Sequence, residues 1–208
     1  FDFEHAMLVQ VDRDAGTHVW RVLGVETIDA ADVEVDGAAE VTIESNEIRL
    51  EFSAGRLAPY RVRYAGADGV LEGGDVALHA AWTGRVFAYQ RQPFSDEEHY
   101  QTRSRSGHLF ESDAIRYLFR GEGPSAARLS PALDDADRFG VTGATSFIAP
   151  PGTYRVHTVS DDGLRVWLDE SLVIDDWTVH GSTVHEHDFT VETEREVHVR
   201  FEYFELTG

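Results

Sequence analysis

The residues best equipped for chemistry sit together at Asp161-Asp162-Gly163, inside the stretch Ser160 to Trp177, SDDGLRVWLDESLVIDDW. Adjacent carboxylates at a turn direct several oxygens into one small volume, which is what a hard cation such as calcium requires. Asp-Asp-Gly is also ordinary turn chemistry, because Asp side chains bond to nearby backbone N–H groups and Gly accepts positive φ. Calcium usually takes about six to eight oxygens, more than these two residues supply. Asp175-Asp176 closes the stretch and reads as a pair of hairpin-end caps, and Trp177 reads as a core residue whose other role is to stack on a sugar ring. The chain then offers His180, His185, Glu186, His187 and Asp188. His185 and His187 share one strand face and suit zinc better than calcium, although their spacing is not that of the common zinc motifs, and histidines in an acidic protein are ordinarily solvated.

A hairpin must position these groups. Leu164, Val166 and Leu168 alternate with Arg165, Trp167 and Asp169, a period of two that sends one set inward and the other outward. Asp169-Glu170-Ser171 turns the chain, and Leu172, Val173 and Ile174 return it. Earlier in the chain the same pattern recurs in short pieces. Ala6 to Val11 and Thr17 to Val25 are strand candidates, as are the alternations at Val33 and Val35 and at Val41 and Ile43. A Ser45-Asn46-Glu47 turn leads into Ile48, Leu50 and Phe52, which alternate with Arg49 and Glu51, and Tyr60, Val62 and Tyr64 follow between arginines. Short strands at roughly ten-residue spacing predict a small immunoglobulin-like β-sandwich over residues 1–76. Past Gly73-Gly74 the composition changes, marking a second domain over residues 77–208. Leu78 to Tyr89 reads as one long strand, and Gln90 to Ser112 as a long surface loop whose helical hint is Ser95-Asp96-Glu97-Glu98. Ile115, Tyr117 and Phe119 alternate again, and Leu133 to Arg138 reads as an acidic connector.

Composition narrows the partners. The 38 acidic residues face 18 basic ones, all arginine, for a net charge of −20. Such a field repels nucleic acid and anionic membranes. No apolar run reaches the roughly eighteen residues that a spanning helix needs, so no membrane insertion is expected. The absence of cysteine excludes disulfides. An acidic chain without lysine fits a halophilic source, where salt screens carboxylate repulsion, and it equally fits a GC-rich genome that favours arginine codons.

Several blocks in order carry a resemblance. Trp82-Thr83-Gly84-Arg85-Val86-Phe87 is followed by Phe119-Arg120-Gly121-Glu122-Gly123-Pro124, then by Phe139-Gly140-Val141 through Ala149-Pro150-Pro151-Gly152-Thr153-Tyr154. These, the Ser160 to Trp177 stretch and the late strand Val197 to Glu205 resemble the protective-antigen fourteen-kilodalton domain family over residues 78 to 208. The resemblance implies a second antiparallel β-sandwich, so the expected fold is all-β: an immunoglobulin-like sandwich followed by a protective-antigen-type one. It also implies a recognition module of the extracellular space or cell surface, with glycans or glycoproteins as partners. In flocculin-like members a pair of aspartates joined by a cis peptide holds calcium, which holds sugar hydroxyls. The matching positions are Asp161 and Asp162, with Gly163 and Trp177 beside them in the expected ligand site. Those members add an asparagine from a later loop, whereas this chain has only Asn46, outside the resembling region.

Catalysis is not expected. No nucleophile motif or phosphate loop is present, and adjacent carboxylates cannot flank a scissile glycosidic bond at the separations that hydrolysis uses. The other function consistent with these residues is a structural subunit of a cell-surface filament or virion assembly that keeps the sandwich without a sugar site. Family members usually continue past the segment matching Glu202-Tyr203-Phe204 into one more strand. An open edge is therefore expected after Glu205, filled by Phe1 to Val11 of this chain or of a neighbouring copy, giving self-assembly by strand addition.

Overall fold

The computed structural model describes residues 6–38, 40–93, 95–113, 115, 124, 133 and 137–206. The chain divides into two compact units, Phe1–Ala80 and Ala81–Gly208. The boundary expected at residue 76 falls inside a strand that continues to His79.

Among the described residues the first unit has seven strands: β1 (Met7–Asp14), β2 (Thr17–Leu23), β3 (Val33–Asp36), β4 (Glu40–Glu44), β5 (Glu47–Glu51), β6 (Arg56–Gly66) and β7 (Gly69–His79). They pair antiparallel in the orders β1-β2-β5-β4 and β3-β6-β7. Four strands in the order first, second, fifth, fourth, against three in the order third, sixth, seventh, is the arrangement of constant-type immunoglobulin sandwiches. Both sheets contribute alternate side chains to one core. Trp20, Val22, Ile48 and Leu50 come from the first, Tyr60, Val62, Tyr64 and Ala77 from the second. Asn46 shapes the β4–β5 turn by donating its side-chain amide to the carbonyls of Val22 and Val25, each at 3.1 Å.

One polar network sits inside this core. The Tyr60 hydroxyl accepts from Trp20 Nε1 at 3.1 Å and from Gln10 Nε2 at 3.0 Å, and it lies 2.8 Å from His18 Nδ1. Burial holds the His18 pKa below its ordinary value. Tyr60→Phe removes the acceptor of a buried indole N–H, which costs about 1–3 kcal/mol. Urea unfolding of the variant should show that loss without a change in the strand signal of circular dichroism.

The second unit comprises β8 (Trp82–Ala88), α1 (Glu97–Arg105), β9 (His108–Ser112), β10 (Phe139–Ala149), β11 (Gly152–Ser160), β12 (Leu164–Leu168), β13 (Ser171–Asp176), β14 (Thr183–Val191) and β15 (Arg195–Glu205). An antiparallel sheet runs β13-β12-β15-β10-β8-β9, and β11 pairs with β14. Val86, Phe139, Val141, Val166, Ile174 and Phe201 form its core, with Val156 of β11 packed against them. A second, aromatic cluster joins Phe87, Tyr89, Tyr100, Trp177 and Phe204.

Four expectations are corrected here. The Leu78 to Tyr89 run is two strands, β7 and β8, broken at Ala80-Ala81. The Gln90 to Ser112 segment contains α1 and β9: Asp96 caps the helix by accepting from the His99 N–H at 3.0 Å, and Tyr100 and Ser104, one turn apart, bury one face. Among the described residues β15 is not the open edge expected after Glu205, because it lies between β10, which it pairs over Arg195–Glu205, and β12, which it pairs over Val199–Tyr203. Of Phe1 to Val11, the segment expected to fill that edge, residues 1–5 lie outside the described residues, and Met7 to Gln10 pair instead with Trp20 to Leu23 of β2 in the first unit. The Phe119 to Gly123 block, the alternation at Tyr117 and Phe119, and residues 134–136 of the Leu133 to Arg138 connector lie outside the described residues.

Candidate functional site

The Asp161-Asp162-Gly163 loop joins β11 to β12, and the structure gives its three residues different jobs. Asp161 is exposed, whereas Asp162 is 1% exposed. The peptide between them is trans, contrary to the cis bond that the resemblance implies, and the turn is made by Asp162 itself at φ 62°. Asp is among the few non-glycine residues that visit this left-handed region routinely, since its short polar side chain bonds locally. Here it bonds to two other segments. One carboxylate oxygen accepts from the His180 N–H at 3.1 Å and the other from the Leu206 N–H at 2.7 Å, while the Asp162 N–H donates to the His180 carbonyl at 2.9 Å. Gly163 is required for close approach: its carbonyl accepts from the Phe204 N–H at 3.0 Å, and a Cβ would stand 2.1 Å from Phe204 Cε1.

Trp177 is not available to a sugar. It is 8% exposed, meets Tyr100 and Phe204 edge-on at centroid distances of 5.0 and 4.8 Å, and carries the Arg165 guanidinium 4.6 Å from its ring centroid. The stacking role expected as an alternative to core packing gives way to packing. Asp175, read as a cap, is instead the cross-strand partner of Arg165, accepting from its Nε at 2.8 Å.

Sequence reasoning missed a third carboxylate. Glu205, at the end of β15 and 7% exposed, brings an oxygen into the same small volume, so that one oxygen each from Asp161, Asp162 and Glu205 lie within 4.8 Å of one another. The signal was a break in alternation. Phe204 and Glu205 are adjacent and both buried, where strict alternation would turn one of them outward. The Tyr203 hydroxyl is 2.8 Å from both the Asp161 carbonyl and Glu205 Oε2. One phenolic proton cannot fully serve two acceptors. When it goes to Asp161, a proton on Glu205 or a cation must satisfy the other contact. Glu205 Oε1 has no hydrogen-bond partner among the described residues. Burial pushes the Glu205 carboxyl up to about 7; the Tyr203 hydroxyl opposes this, and the Asp162 and Asp161 carboxylates add to it.

The second unit is thus an all-β module with three convergent carboxylates at the corner where the β11–β12 loop meets the end of β15. The family model of the PA14 domain matches residues 129–208. The match takes in the blocks from Phe139 onward and begins after those at Trp82 and Phe119. The anti-sigma-I factor RsgI3 of Acetivibrio thermocellus is 36% identical over 53 residues, 26% of this chain and 8% of that protein, so the chain spans only a small part of that curated relative. Among solved structures, the PA14 domain of the MpAFP antifreeze protein is 13% identical with a TM-score of 0.43, covering 59% of this chain and 73% of that one. An anti-sigma factor domain-containing protein is 13% identical with a TM-score of 0.45, covering 95% and 81%.

Two tests separate the roles of the three acids. Asp162→Ala strands two backbone donors and should lower unfolding free energy by at least about 2 kcal/mol. Asp161→Ala, whose carboxylate is exposed, should stay within about 0.5 kcal/mol of the parent. For Glu205 the sign follows from its raised pKa: between about 4.5 and about 7 the folded state holds a proton that the unfolded chain has released. Its contribution is fully present below 4.5 and lost as pH rises through 7. Melting temperature should fall across that window, and Glu205→Gln should flatten the slope.

Proposed function

We propose that the second unit is a non-catalytic recognition module that binds glycans outside the cell or at its surface, through calcium held by Asp161, Asp162 and Glu205. The observation that carries this reading is the convergence of three carboxylates, one oxygen from each lying within 4.8 Å of the others. Calcium takes carboxylate oxygens in flexible geometry and leaves positions for ligand oxygens, so a sugar's vicinal hydroxyls can complete its shell. Asp161 is the accessible member of the set and the one from which a ligand would approach. The match of residues 129–208 to the PA14 domain model supports the same class of role.

A second reading, a structural module of a surface assembly without a sugar site, draws on a specific observation. Both Asp162 oxygens already accept main-chain N–H groups, so the loop is held without a cation. The two readings part on calcium. If the recognition reading holds, calcium at about a hundred times its dissociation constant should stabilise the fold by about 2.7 kcal/mol, and the gain should vanish in Asp161→Asn combined with Glu205→Gln. A glycan array read with calcium and with chelator should then show calcium-dependent binding. Absence of both signals in a folded protein leaves the structural reading.

A further inference from the structure

A separate cluster of ligand-type side chains lies beyond the hairpin. Asp176 ends β13, His185 lies on β14, and His180 sits in the connection between them. Asp176 Oδ2 is 3.4 Å from His180 Nε2 and 3.5 Å from His185 Nε2. All three residues offer one ligand atom within a 4.8 Å group. Despite the short distances, neither Nε2 has a hydrogen-bond partner among the described residues, and both atoms are buried. Two buried ring nitrogens with no hydrogen-bond partner among the described residues, converging on one carboxylate, form a ligand set suited to a metal ion.

We propose that Asp176, His180 and His185 bind a divalent transition metal, zinc in the first instance. The spacing fits: ligand atoms about 2.0–2.1 Å from a tetrahedral zinc lie about 3.3–3.4 Å apart. Two imidazoles and one carboxylate suit zinc and its neighbours and do not suit calcium, which takes oxygen ligands. The tautomer is set as well. His180 Nδ1 lies 2.8 Å from the Gly181 carbonyl, which can only accept, so Nδ1 carries hydrogen and Nε2 is the atom directed at the metal. Asp176 is oriented in turn by the Thr178 hydroxyl, which donates to its other oxygen. Preorganisation extends to the main chain, because Asp162 holds both the N–H and the carbonyl of His180. Thr158 Oγ1, across the β11–β14 pair from His185, is another buried atom without a hydrogen-bond partner among the described residues. Three protein ligands leave a fourth tetrahedral position for water or a ligand oxygen.

The zinc pair suggested by the sequence, His185 with His187, is therefore not the one that forms. Both lie on the same strand face, but His187 stands opposite Val156, whereas His185 meets His180 at a ring-centroid distance of 6.0 Å.

The experiment is a titration of the full chain, stripped with chelator, with zinc chloride alone. It is read by calorimetry and melting temperature and repeated with cobalt(II), whose visible absorption reports tetrahedral nitrogen and oxygen ligation. One equivalent should bind and raise the melting temperature, and cobalt should give the tetrahedral spectrum. His180→Ala and His185→Gln should each weaken zinc by about 100-fold or more, and Thr178→Ala by about tenfold. His157→Ala, an exposed histidine paired with Glu186 outside the triad, should bind as the parent does. The Asp161→Asn, Glu205→Gln protein should also keep zinc, which separates this site from the calcium reading. Zinc binding that survives in folded His180→Ala and His185→Gln, or no stoichiometric binding in the folded parent, overturns the proposal.

Discussion

The Asp162 carboxylate is the constraint on which the second unit's functional corner depends. It is a buried anion whose two oxygens are each satisfied by a backbone N–H, from His180 on one side and Leu206 on the other. An unsatisfied buried carboxylate would be strongly unfavourable, so these contacts must form together or the loop must open. Because the two donors come from the β13–β14 connection and the chain after β15, one side chain ties three segments distant in sequence. Both clusters of ligand-type residues inherit their geometry from it. Glu205 is brought beside Asp161 because Leu206 is held, and His180 is brought beside Asp176 because its own peptide groups are held.

Around this corner the packing is aromatic. Trp177, Tyr100 and Phe204 meet at near-perpendicular angles, and Phe204 presses on Gly163 so closely that no larger residue fits. The Tyr100 hydroxyl donates to the Tyr203 carbonyl at 2.7 Å, fixing α1 against the end of β15. The helix is thus a buttress for the site and not a surface loop.

The charge is organised differently. Arginines pair across the ladder: Arg165, largely covered over Trp177, with Asp175 and also with Glu97 of α1, and the exposed Arg155 with Asp188 and Glu186. Exposed pairs of this kind contribute little each, about 0–1 kcal/mol. Their planar forks do fix register and side-chain orientation, which an ammonium group does less well. Arg200 covers the Trp167 ring at 3.4 Å from its centroid while reaching Glu202, so charge also shields apolar surface.

The alternations at Ile48 and Leu50, at Tyr60, Val62 and Tyr64, and at Leu164, Val166 and Leu168 determined the all-β class and which faces are buried, because side-chain direction along a strand has a period of two. The turn at Ser45-Asn46 and the importance of Asp161-Asp162-Gly163 were legible for the same local reason, since turn chemistry acts within a few residues. Local pattern could not reveal which segments meet. Glu205 lies 43 residues from Asp162 and His185 lies 9 from Asp176, and neither spacing is a motif. The pairing of β15 with β12 brings Glu205 to the Asp161-Asp162 loop, and the approach of β13 to β14 brings His185 to Asp176. Nor could the sequence distinguish Asp161 from Asp162. Adjacent and chemically identical, they differ because tertiary structure buries one against two backbone donors and leaves the other in water.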